Sequence, residues 1–117
     1  MSTNIAAIGE IDGFIGACLV DSDTGLMLAS EGGGKLDLEA ASALNAQVVR
    51  AKRSAIETLK LNDVIEDILI TLGKQFHLIR PLAANPSVFI YVALDKKQAN
   101  LGLARIKLKQ IEAGMEI

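Results

Sequence analysis

The chain has 117 residues, 50% of them hydrophobic and 22% charged, with 10 Gly and 2 Pro. That composition excludes disordered, collagen-like and low-complexity classes and is expected to form a single domain over residues 1–117. A net charge of −2, from 12 basic and 14 acidic side chains, gives no basis for binding nucleic acid or an anionic membrane. The one cysteine, Cys18, excludes an intramolecular disulfide and a cysteine-based zinc site. Met1–Glu10 lacks the charged and apolar regions of a signal peptide. The longest apolar run, Phe14–Val20, is too short to span a bilayer, so a cytoplasmic protein without membrane insertion is expected. Mean hydropathy is +0.35 with very few aromatic residues, a high value for a small monomer. Either the aliphatic core is well filled, or a second subunit covers apolar surface.

In chain order, Thr3–Ile11 reads as a short first helix with Ile5, Ile8 and Ile11 on one face. Phe14–Asp21 is apolar on both faces and therefore a central strand. Asp21-Ser-Asp-Thr-Gly25 is turn chemistry, Leu26–Ala29 returns as a second strand, and Glu31–Lys35 is a glycine-rich loop. Asp37 is placed to cap a long helix running to about Leu61, with Glu39 in its first turn. At 100° per residue, Glu39, Arg50, Arg53, Glu57 and Lys60 form one polar stripe. Leu38, Ala41, Leu44, Val48, Val49, Ala51, Ala55, Ile56 and Leu59 spread over roughly 160°, wider than packing on one sheet requires.

Val64–Leu72, Gln75–Leu82 and Ser87–Leu94 read as three further strands, the last again apolar on both faces. Asp95, with Gln98 three residues on, resembles a capping box opening a last helix. Leu101, Ala104, Leu108 and Ile111 give its buried stripe, and Gly114 its stop. Two strands buried on both faces demand cover from both sides. The expected fold is α/β (α+β): a three-layer α/β/α sandwich on a mostly antiparallel five-stranded sheet. One long helix covers one face and two helices the other.

Catalytic and cofactor patterns fail in turn. His77 is the sole histidine and sits mid-strand, and Cys18 lies in an apolar strand where it acts as a small hydrophobe. Asp21-x-Asp23-x-Gly25 resembles a calcium loop, but Gly25 replaces an oxygen ligand and Gly32 the terminal carboxylate. Gly32-Gly-Gly-Lys35 resembles a phosphate loop, but Ala29 stands at the first glycine and Leu36 at the hydroxyl position. No catalytic, metal or cofactor residue is therefore assigned, and no enzyme is expected.

Three stretches resemble the Roadblock family of dynein-light-chain type: Ile11–Gly25, Ile70–Arg80 and Ala99–Arg105. The resemblance implies a homodimer or heterodimer whose long helices pack antiparallel and whose third strands pair edge to edge. It also implies a non-enzymatic regulator or scaffold of a small Ras-like GTPase, in some members a GTPase-activating partner. The alternative is a light-chain-like assembly subunit with no GTPase partner. On this reading the dimer contact uses Ala41, Leu44, Val48, Ala51, Ala55, Leu59, Ile65, Ile68 and Ile70. Arg50, Arg53 and Glu57 are the candidate partner-binding residues.

Overall fold

The computed structural model describes residues 4–115. A 3-10 turn at Ala6–Glu10 precedes β1 (Phe14–Asp21), β2 (Met27–Gly32), α1 (Leu38–Thr58), β3 (Ile68–Thr71), β4 (Gln75–Pro81), β5 (Val88–Asp95) and α2 (Leu101–Ala113). The strands form one sheet in the order β2-β1-β5-β4-β3, and every pairing in it is antiparallel. Val88–Leu94 is buried at every position, as the two-sided apolar run of β5 requires. Cys18, Val20, Ile79, Phe89 and Tyr91 pack under α1 on one face. Ala17, Leu19, Leu78, Ile90 and Val92 pack with Ile8, Ala104 and Leu108 on the other. The sandwich expected from the sequence is present.

Several element boundaries differ from the sequence reading; α1 ends at Thr58 rather than near Leu61, and other strand ends move by one residue. The opening helix is a five-residue 3-10 turn, and Thr3, read as its start, lies outside the described residues. β2 runs on through Gly32, where Glu31 and Gly32 pair with Ala17 and Gly16. β3 starts at Ile68 rather than Val64, because residues 62–67 form an irregular connector. Asn62 is left-handed there (φ +53°), and the Asp63 carboxylate accepts the Val64 N–H at 2.8 Å. α2 is capped by Asn100, whose side chain accepts the Leu103 N–H at 3.1 Å, and not by Asp95. Asp95 ends β5 instead, and its carbonyl accepts the Gln98 and Ala99 N–H groups in a turn that delays the helix.

α1 begins as expected, with the Asp37 carboxylate accepting the Ala40 N–H at 3.0 Å. Its end is a Schellman turn: Leu61 N–H bonds the Ile56 carbonyl at 3.1 Å and Lys60 N–H the Glu57 carbonyl at 3.0 Å. Lys60 takes the left-handed position of that turn (φ +56°), where a side chain is disfavoured and glycine is not. Lys60→Gly should therefore stabilise the fold by about 0.5–1 kcal/mol. The check is a higher urea midpoint at unchanged slope.

Candidate functional site

α1 presents two unlike faces. Leu38, Ala41, Ser42, Ala46 and Val49 are buried against the sheet. Leu44 (60% exposed), Val48 (37%) and Leu59 (64%), with the exposed Ala51 and half-buried Ala55, form the opposite stripe. At 100° per residue that stripe is about 80° wide. The wide apolar arc in the sequence is thus two arcs, one spent on the protomer's own core and one left in water. Ala41 belongs to the inner one, because only 8% of its surface is exposed, so it is not available to a partner helix. Of the other residues assigned to the dimer contact, Ile68 and Ile70 are half-buried on the α1 side of β3, an edge strand. Ile65 is half-buried in the connector before β3.

Arg50 and Arg53 are not free cations on a solvated face. Arg50 Nη1 donates to the Ser22 carbonyl at 2.6 Å, and Arg53 Nη1 to the Ser22 hydroxyl at 2.8 Å. Arg53 Nη2 also donates to the Pro86 carbonyl. Ser22 is fully buried, and its hydroxyl and N–H both donate to the Ser87 carbonyl at 2.8 Å. The two guanidinium groups therefore tie α1 to the β1–β2 and β4–β5 turns. The polar stripe looks over the end of the sheet, where turns supply carbonyl oxygens, and sequence periodicity does not register that the sheet stops there. Of the proposed partner-binding residues only Glu57 is exposed without such a bond, at the mouth of a neighbouring groove.

That groove, about 1160 Å³, runs between the end of α1, the 62–67 connector and α2, and is lined among others by Ile56, Lys60, Val64, Pro81 and Ile106. Its floor is an ion-pair network that the sequence did not announce. Arg105 grips Asp67 with two bonds (3.0 and 3.2 Å), and Arg80 Nε bonds Glu112 at 2.7 Å. Glu112 also accepts the Ala83 N–H at 2.6 Å. Partners separated by more than thirty positions leave no local motif, so pattern reading cannot find them.

The residues weighed for chemistry are engaged structurally. Cys18 is buried with its Sγ 3.2 Å from Ser42 Oγ, and burial pushes its thiol pKa up, away from a reactive thiolate. The Asp21 carboxylate accepts the Asp23 N–H and the Thr24 hydroxyl of its own turn, at 3.0 and 3.1 Å. Gly33, at the centre of the glycine loop, is buried, donates its N–H to the Ile15 carbonyl and lies against Gly16, where a Cβ would come within 2.7 Å of it. These glycines let a loop press onto β1. Among the described residues no group of three or more His, Cys, Asp or Glu could hold a metal ion. No helix among them is long and apolar enough to cross a membrane.

His77 stands on the α1 side of the sheet, its Nε2 2.8 Å from Gln75 Oε1 and its Nδ1 3.2 Å from the Tyr91 hydroxyl. The two rings meet edge to face at 5.4 Å. Burial pushes the Tyr91 pKa up to about 12, with a smaller contribution from Cys18, so the phenol stays protonated. The fitting tautomer takes the Tyr91 O–H at Nδ1 and gives Nε2–H to Gln75.

These contacts can be tested through stability. Arg53→Ala should cost about 1–2 kcal/mol in denaturant unfolding, because it removes charge-assisted bonds to two turns. Reversing Arg50 and Arg53 together should lower thermal stability, so loss of a partner in that variant would report the fold. Burial holds His77 below its ordinary pKa of 6.5, so protons favour the unfolded state. The stability from neutral His77 is present above pH 6.5 and is lost as pH falls toward the lowered folded-state value. His77→Gln should flatten that acid-side loss in a pH series of melting curves.

No family model and no curated protein matches the sequence. Solved structures do resemble the fold. MglB of Myxococcus xanthus superposes with a TM-score of 0.80 at 19% identity, over 92% of this chain and 77% of that one. A Roadblock/LC7 domain from Streptomyces avermitilis gives 0.78 at 14% identity, over 92% and 87%. The gliding protein MglB of Thermus thermophilus gives 0.73 at 15% identity, over 91% and 78%. With the antiparallel five-stranded sheet, the long helix on one face and α2 on the other, the chain has the Roadblock/LC7 fold.

Proposed function

We propose that the protein is a non-enzymatic, homodimeric regulator or scaffold of a small Ras-like GTPase. The observation that carries the dimer is the outer stripe of α1. Leu44, Val48 and Leu59 remain in water on a helix whose other face already fills the core. Ala51 and Ala55 between them allow a second helix to approach closely. β3 adds an open edge on the same side of the molecule, which pairing with a mate would remove. The GTPase assignment rests on the Roadblock resemblance and is supported by the fold shared with two MglB proteins. A regulatory rather than catalytic role accords with a buried Cys18 and with turn-bound Asp21. The glycine loop, its central N–H already used, is no phosphate cradle, so GTP is expected on the partner and not on this chain.

Light scattering at micromolar concentration should give about twice 12.4 kDa. Val48→Glu should return the mass to that of the monomer with the fold intact, since the new charge would be buried in the contact without a partner. Immobilised dimer should retain a small Ras-like GTPase from its own cell in one nucleotide state only. Retention independent of nucleotide, or none at all, would sink the GTPase assignment and favour the assembly-subunit reading.

A further inference from the structure

We propose that His77 makes the homodimer pH-sensitive: two copies hold together while its imidazole is neutral and separate when it takes up a proton. The inference rests on the dimer reading above and adds a regulator to that contact.

The cover that α1 gives its face of the sheet stops short of β3. On that face Cys18, Val20, Ile79, Phe89, Tyr91 and Ala93 are buried, whereas Ile68, Ile70, Gln75 and His77 are only half-buried. The helix is set toward the other edge, where a Cβ on Gly25 would lie 3.2 Å from the Ala43 Cα and where Arg50 bonds Ser22. At 100° per residue its opposite flank carries Val48 and Lys52 and borders the open corner. His77 stands opposite Ile70 on β3 and opposite Ala93 on β5, so the three share this face. Opposed side chains start about 5 Å apart. A subunit that covers Ile70 and the outer stripe of α1 therefore covers the imidazole as well.

The neutral ring is fully partnered. Nδ1 accepts the Tyr91 O–H at 3.2 Å, and Nε2–H donates to Gln75 Oε1 at 2.8 Å. A proton on Nδ1 sets N–H against O–H, and the phenol loses its acceptor. The charged and titratable groups around the ring do not offset this. β5 brings Tyr91, which stays protonated, and Asp95, which lies opposite Gln75 and so diagonal to His77. Cys18 lies on β1 opposite Tyr91, with its thiol pKa pushed up by burial. β3 brings only Ile68 and Ile70, and the α1 flank brings Lys52, a like charge. Burial outweighs Asp95 even in one protomer, since it holds the ring below its ordinary pKa. Apolar side chains of a second copy would exclude more water and weaken proton binding further. By linkage, protonation then weakens the contact.

The test follows the dimer Kd by sedimentation equilibrium from about pH 7.5 to about pH 5, for wild type and His77→Gln, with circular dichroism at each pH. His77 is the sole histidine, so its ring proton is a single NMR signal that titrates in the same samples. The imidazole of the wild-type dimer should bind a proton about tenfold more weakly than that of the Val48→Glu and Val48→Lys monomers, whose opposite charges bracket any local effect. Two imidazoles per dimer square that factor, so wild-type Kd should rise by up to about a hundredfold as pH falls. Kd of His77→Gln should stay within about twofold over the same range. A flat wild-type Kd, an equal pH dependence in His77→Gln, or an imidazole that titrates alike in dimer and monomers would overturn the switch. So would loss of ellipticity in step with loss of mass, because the fold and not the contact would then be titrating. None of these results touches the dimer, which stands if Val48→Glu splits it. A wild-type chain that is monomeric at about pH 7.5 at every concentration overturns both readings.

Discussion

The burial of Val88–Leu94 on both faces is the constraint from which the rest of the molecule follows. A strand with no side for water must lie inside a sheet and between two layers. β5 takes β1 and β4 as neighbours, which leaves β2 and β3 as edges. Residue alternation then sends Phe89 and Tyr91 toward α1, and Ile90 and Val92 toward α2 and the opening turn. Both helices are where they are because β5 exposes apolar surface in two directions.

α1 is committed more heavily than a covering helix needs to be. Its inner face fills the core, its two arginines fasten the turns at the end of the sheet, and its outer face still carries leucine and valine in water. Hydrogen bonds at Ser22 and Pro86 tie the helix to the β1–β2 and β4–β5 turns. A subunit or partner that pressed on the outer stripe would meet a braced surface, which reduces the ordering cost of association.

How much was legible in the sequence follows from the range of each signal. The two-sided strands Phe14–Asp21 and Val88–Leu94, the Asp37 cap and the turn at Asp21–Gly25 are local, and reading along the chain finds them. Not every misjudged end has a distant cause. β3 begins late where Asp67 is held by the distant Arg105; the late start of α2 is a local matter, since the Asp95 carbonyl is used in a turn with Gln98 and Ala99. The candidate surface was half legible. Helical periodicity isolates Leu44, Val48 and Leu59, but cannot say that Ala41 lies under the chain or that Arg50 and Arg53 face backbone carbonyls. The Arg80–Glu112 and Asp67–Arg105 pairs had no sequence signature at all.

The two edges of the sheet are not equivalent, and this bears on how large an assembly can become. β3 is short and straightforwardly paired with β4, whereas β2 carries a break in register opposite Leu19 and Val20. It then ends at Gly32 and Gly33, both in the left-handed region (φ +62° and +108°). A bulge and a reversed backbone twist spoil the regular row of donors and acceptors that a further strand would need. Pairing of two copies along β3, if it forms, would therefore close on itself at two copies. The same chain with a regular β2 would have two open margins and could polymerise into a ribbon; the irregular β2 leaves one.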